Sequence, residues 1–224
     1  MSFHPVDMYR TCLGVGAALT LLIGTVGCSS GTFRDRSKPP SVETTNYYRI
    51  QTGYGDMIVR LSDITPKHRD NFRALVAEGA YDGTTFHRVI DGFVIQGGDL
   101  LSTDDDLTND GTGSLDYTVP FEPNETQTHR RGVLAAVPAS AGMSNQSNAT
   151  QFYIVVGAEA RQLDGTATIF GEVVRGMSTA DVIARQPTKR KLQQPAPQWL
   201  TDQPPEPVRM IIRPAPEAEA ALRR

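Results

Sequence analysis

Apolar and polar residues alternate along much of this chain with a period of two, the spacing of a strand with one buried face. Residues 47–52 and 57–62 are two such runs, and Gly53-Tyr54-Gly55-Asp56 between them predicts a β-hairpin. The period changes over 65–79. There Phe72, Leu75 and Val76 fall on one helical face, Thr65 can cap, Pro66 suits the first turn and Gly79 ends the segment. Strand-like runs return at 132–137, 151–156, 167–174 and 207–213, and a second helix is expected from 178 to 185. Many short strands and two helices predict one all-β domain, sandwich or barrel, over 47–213, followed by a frayed tail over 214–224.

Residues 86–99 interrupt this pattern with chemistry. Phe86-His87-Arg88-Val89-Ile90 and Phe93-Val94-Ile95-Gln96-Gly97-Gly98-Asp99 read as two strands around an Asp91-Gly92 turn. Arg88 and Gln96 have the parity to share a face if one strand runs through. A cation and an amide on an apolar strand face are costly to bury unless they serve a polar ligand. The run therefore predicts a groove that grips a peptide-like group.

Composition narrows the possibilities. The chain has 224 residues, 39% hydrophobic and 21% charged, with a net charge of −3. Its basic runs are short, Arg130-Arg131 and Lys189-Arg190-Lys191, so nucleic acid is not expected as a partner. The acidic cluster at Asp104-Asp105-Asp106 and Asn109-Asp110-Gly111 lacks a complete calcium-loop spacing and reads as a solvated loop; no metal is expected. Residues 186–206 are rich in Pro and Gln and read as an excursion.

Residues 1–27 read as a bacterial secretory signal: Arg10, an uncharged stretch from 12 to 26, then small residues. That stretch is shorter than the roughly 20 residues a spanning helix needs. Met8 offers an alternative start. Thr25-Val26-Gly27-Cys28 resembles a lipobox, with Thr25 where Leu is usual, and predicts lipidation of Cys28. Residues 28–46, with Pro39-Pro40, then form a flexible tether. The expected location is extracytoplasmic and lipid-anchored to a bacterial membrane. Cys12 leaves with the signal, so no disulfide is expected.

Ordered motifs give the domain a family resemblance. The 86–99 run, Arg130-Arg131-Gly132-Val133-Leu134, Thr150-Gln151-Phe152-Tyr153-Ile154, Leu163-Asp164-Gly165 with Ile169-Phe170-Gly171, and Glu206-Pro207-Val208 together resemble the cyclophilin-type peptidyl-prolyl cis-trans isomerases. The resemblance implies a closed, about eight-stranded antiparallel barrel capped by two helices. It also implies an enzyme that needs no cofactor, takes proline-containing polypeptide segments and is expected as a monomer. Arg88 matches the catalytic arginine and Gln96 the glutamine that bonds the substrate backbone. Gln151 matches a polar residue of the cleft, and Phe93, Val94, Tyr153 and Leu163 the apolar proline pocket. His87 belongs to the motif as a structural or a catalytic histidine.

The chain departs from the family pattern at its apolar side. Val94 stands for a usual Met and Tyr153 for a Phe, which implies a more polar pocket. Gln162 stands for a Trp, Ala167 for a His or Tyr, and Pro138 for an Asn or Arg. Two other functions compete with catalysis: a chaperone that binds proline segments with little turnover, and an envelope scaffold that docks a partner on the 186–206 excursion.

Overall fold

The computed structural model describes residues 45–123, 126–139 and 145–222. The signal, Cys28 and the tether up to residue 44 lie outside the described residues. Thr45 and Asn46, expected in the tether, belong to the fold: the Arg73 guanidinium bonds the Thr45 carbonyl (3.2 Å) and the Asn46 side chain.

The strands are β1 (Tyr47–Thr52), β2 (Gly55–Leu61), β3 (Arg88–Ile90), β4 (Val94–Gly97), β5 (Thr118–Pro120), β6 (Val133–Pro138), β7 (Gln146–Val155), β8 (Ile169–Arg175) and β9 (Met210–Pro214). Helix α1 (Pro66–Ala77) lies between β2 and β3, α2 (Met177–Ala184) follows β8, and α3 (Pro216–Leu222) ends the described chain. One antiparallel sheet runs in the order β3-β4-β7-β6-β8-β2-β1-β9, with β5 on the far part of β7. Eight strands thus form a continuous path.

That path is curled and open, not the closed barrel expected. The end strands β3 and β9 form no ladder with each other. The segment before β3 meets β9 at the isolated bridge Thr85↔Arg209, flanked by Met210 N to Thr84 O (2.8 Å) and Phe86 N to Val208 O (2.9 Å). The outward amide of Val89 on β3 instead donates to the carbonyl of Asp202, at 2.9 Å, in the 186–206 excursion. The sheet edge is therefore covered by a loop where a closing strand was expected.

The inner face carries the main core. Phe72 projects from α1 among Tyr48, Tyr81, Phe152 and Phe170, with ring centroids 5.2–6.0 Å apart. Edge and tilted packing of this kind adds to the gain from burial alone. Ala180, Ile183 and Ala184 of α2 close the other side. Thr65 does not cap α1; its hydroxyl makes no hydrogen bond. The cap comes from Glu122, which accepts from the amides of Lys67 (3.0 Å) and His68 (2.9 Å) and from the His68 ring (2.6 Å). The tail is likewise not frayed over residues 214–222. Ala215 and Ala218 are buried against Ile58, and Glu217 pairs with Arg49 at 2.6 Å.

Candidate active site

Arg88 and Gln96 are brought together by a hairpin and not by one continuous strand. Gly92, at φ 73°, takes the left-handed turn conformation open to glycine, and Phe93 N bonds back to Ile90 O at 3.0 Å. Strands β3 and β4 then pair Arg88 directly with Gln96. The row continues through Gln96↔Tyr153, Tyr153↔Ala135 and Ala135↔Ile169. Directly paired residues share a face. Five strands thus present Arg88, Gln96, Tyr153, Ala135 and Ile169 side by side, on the face opposite the main core.

The polar end of the row is a relay. Arg88 Nη1 donates to Gln96 Oε1 (3.4 Å), and Gln96 Nε2 donates to Gln151 Oε1 (3.1 Å). Gln151 Nε2 donates in turn to the carbonyls of Gly113 (2.7 Å) and Gly111 (3.1 Å). Those glycines are held by the buried carboxylate of Asp99, which accepts from the amides of Leu101 (2.9 Å), Gly111 and Gly113 (3.2 Å). A Cβ at Gly113 would lie 1.9 Å from Asp99 Oδ1, so this approach admits only glycine. Asp99 stood in the sequence motif without a role; the structure makes it the anchor of the relay.

Arg88 is half-buried, and burial pulls its guanidinium below its ordinary range; Asp202 opposes this and Arg190 adds to it. Asp202 Oδ2 lies 4.0 Å from Arg88 Nε, and its other oxygen takes Arg190 at 2.8 Å. A guanidinium keeps its charge through such a shift. His87 is buried beside it, and desolvation takes its pKa down to about 4 despite the Asp99 charge. It is a neutral imidazole near pH 7.

The apolar end is a second core. Val94, Tyr153, Ala167 and Ile169 are buried together, with Phe93 and Leu163 half-buried against them. The proline-pocket candidates therefore converge. The hydroxyl of Tyr153, buried with its ring, finds a partner within the fold. Asp164 Oδ1 takes His129 Nδ1 (2.8 Å), and His129 Nε2 meets the Tyr153 hydroxyl (2.9 Å). The His129 amide and ring hold the Asp164 carboxyl below its usual range. An ionised Asp164 fixes the proton on Nδ1, so Nε2 accepts from tyrosine. His129 and Asp164 had no role in the sequence reading; a tyrosine at a buried position calls for a hydroxyl partner but does not name one. Gln162 is exposed, and Pro138 ends β6.

A cavity of about 310 Å³ opens beside the polar end, lined by His87, Arg88, Gln96, Gly111, Trp199 and Leu200 among others. A larger one of about 500 Å³ lies between β2, β8 and the 126–130 segment and includes none of the candidate residues.

Comparisons with known proteins agree on one family. The model of the cyclophilin type peptidyl-prolyl cis-trans isomerase family covers residues 47–211. The peptidyl-prolyl cis-trans isomerase ppi1 of Schizosaccharomyces pombe is 39% identical over 132 residues, 58% of this chain and 79% of the relative. The peptidyl-prolyl cis-trans isomerase-like 2 of Rhizopus delemar is 34% identical over 151 residues, 67% of this chain, and the chain spans only 27% of that longer protein. Among solved structures, a Cryptosporidium parvum cyclophilin type isomerase determined in the presence of the dipeptide Ala-Pro has a TM-score of 0.61 and 30% identity, over 75% of this chain and 99% of that one. The chain belongs to the cyclophilin-type peptidyl-prolyl cis-trans isomerases, enzymes that interconvert the two planar forms of an X-Pro bond.

Proposed function

We propose that this chain isomerises X-Pro bonds in extracytoplasmic polypeptides while tethered to a bacterial membrane through a lipid on Cys28, with Arg88 and Gln96 carrying the chemistry. Rotation about the bond faces a barrier of about 18–20 kcal/mol because amide resonance must be broken. No bond is cleaved, so the site has to favour the twisted amide over both planar forms. In the twisted state the prolyl nitrogen regains its lone pair. Arg88 donates to that nitrogen or holds the prolyl carbonyl. Gln96 and Gln151 grip the neighbouring backbone, and Phe93, Val94, Tyr153 and Leu163 seat the ring. Partial burial of Arg88 strengthens its effect.

The observation that carries this reading is the single row of the sheet that joins Arg88 and Gln96 to the apolar cluster around Tyr153. The dipeptide present with the Cryptosporidium parvum relative supports proline-containing segments as the substrate class. The test is peptide isomerisation followed by exchange spectroscopy on the full chain in detergent. Arg88→Ala is expected to lower kcat/KM by at least about tenfold, as loss of one oriented donor does elsewhere. A well-folded wild type that speeds no X-Pro peptide would refute the assignment.

The anchor rests on the lipobox-like Thr25-Val26-Gly27-Cys28 and on Ser29-Ser30 after it. Mass spectrometry of membrane fractions should find di- or triacylated Cys28 and none in Cys28→Ser. Soluble protein beginning at another residue would overturn this part alone.

A further inference from the structure

We infer that the 186–206 excursion builds an accessory subsite beside Arg88, in which Trp199 stacks on an aromatic side chain flanking the substrate proline; this rests on the isomerase reading of Arg88. Trp199 is 65% exposed although it lines the same cavity as Arg88 and Gln96. A large indole left in water at the mouth of a site is unusual, and its neighbour Leu200 is buried, so the segment is packed and not splayed.

The excursion is held on both sides. Arg190 N bonds Thr201 O (2.7 Å) and Arg190 Nε bonds Asp202 (2.8 Å). The Asp202 carbonyl takes the amide of Val89 on β3 (2.9 Å). Gln203 is buried and reaches the opposite loop, where its amide donates to Leu107 O (2.9 Å) and Asp110 Oδ2 (2.6 Å). Trp199 is therefore displayed from a clamped loop, and stacking on it costs little further ordering.

The occupant follows from continuity and chemistry. The cavity shares Arg88 and Gln96 with the site that grips the X-Pro bond, so whatever fills it is joined to the proline. Most of its lining is polar, Asp110 and Thr112 included, but the exposed indole and Leu200 give it one apolar part, which an aromatic side chain covers well. Trp199 is thus a specificity-determining residue.

Trp199 is also the only tryptophan of the chain and reports on itself. The experiment uses the full chain and two blocked peptides that differ only beside proline, with phenylalanine on both sides or alanine on both. The phenylalanine peptide is expected to shift the tryptophan emission and to bind about tenfold tighter, the scale of one aromatic pair with its buried area. In Trp199→Ala its kcat/KM advantage should fall to within about twofold through KM, while Trp199→Phe, which keeps a ring, retains most of it. Equal affinity for the two peptides, or a preference that survives Trp199→Ala, overturns the subsite. A wild type that accelerates neither peptide sinks the isomerase reading instead, and the emission titration still decides whether Trp199 meets an aromatic side chain.

Discussion

At the scale of single residues, the chemistry has no titrating partner near neutrality. Arg88 stays charged and His87 stays neutral, so kcat/KM is expected to be flat from about pH 6 to about pH 9, with no bell shape. Stability behaves differently. The folded pKa of His87, about 4, lies below the ordinary 6.5, so the unfolded chain takes up a proton that the folded chain refuses. The contribution is complete above about 6.5 and erodes as the pH falls toward 4, at up to about 1.4 kcal/mol per pH unit. Denaturant melts between pH 7 and 4, wild type against His87→Gln, measure it; equal slopes would dismiss His87 as the source. Asp99→Ala should cost about 1–3 kcal/mol by orphaning three loop amides, and should raise KM because Gly113 no longer fixes Gln151. Arg88 and Gln96 were legible from residue type because polar groups on a strand face stand out. Asp99, His129 and Asp164 were not, since the bonds that matter to the site run to residues 12 to 35 positions away.

Among the elements, α1 and the β1–β2 hairpin were legible because periodicity and turn residues agreed. Phe72 is the hub of α1, and Phe72→Ala should cost about 3–5 kcal/mol in chemical unfolding. Thr65 was the plausible local cap, yet the remote Glu122 does that work; Glu122→Ala should lower stability by about 1–2 kcal/mol and Thr65→Val by much less. No local pattern could have shown this. The same holds for β5, whose three residues are too few for a period to register, and for α3, which two buried alanines hold in place. The 186–206 segment read as a loop from its prolines. That it folds over the β3 edge depends on Gln203 and the Asp202 carbonyl, contacts outside any sequence window.

For the described domain as a whole, one sheet has two different faces: an aromatic core inside and the row from Arg88 to Ile169 outside. Closure of the barrel was an expectation that failed at this scale, because the family resemblance does not register an excursion that takes the β3 edge. Gln203 ties that excursion to the acidic 104–110 loop by two hydrogen bonds. Gln203→Ala should speed amide hydrogen exchange in both segments at once; a change confined to one of them would show that they are independent.

The position of β1 has a mechanical meaning. It lies between β2 and β9, antiparallel to both, and the chain enters it directly from Thr45. A pull on the preceding residues along the strand meets hydrogen bonds that run across the line of force, in two ladders that must shear together. A strand peeled from an edge would give way one bond at a time. If residues before Thr45 are the leash, tension along it falls on a strand braced from both sides and not on an edge.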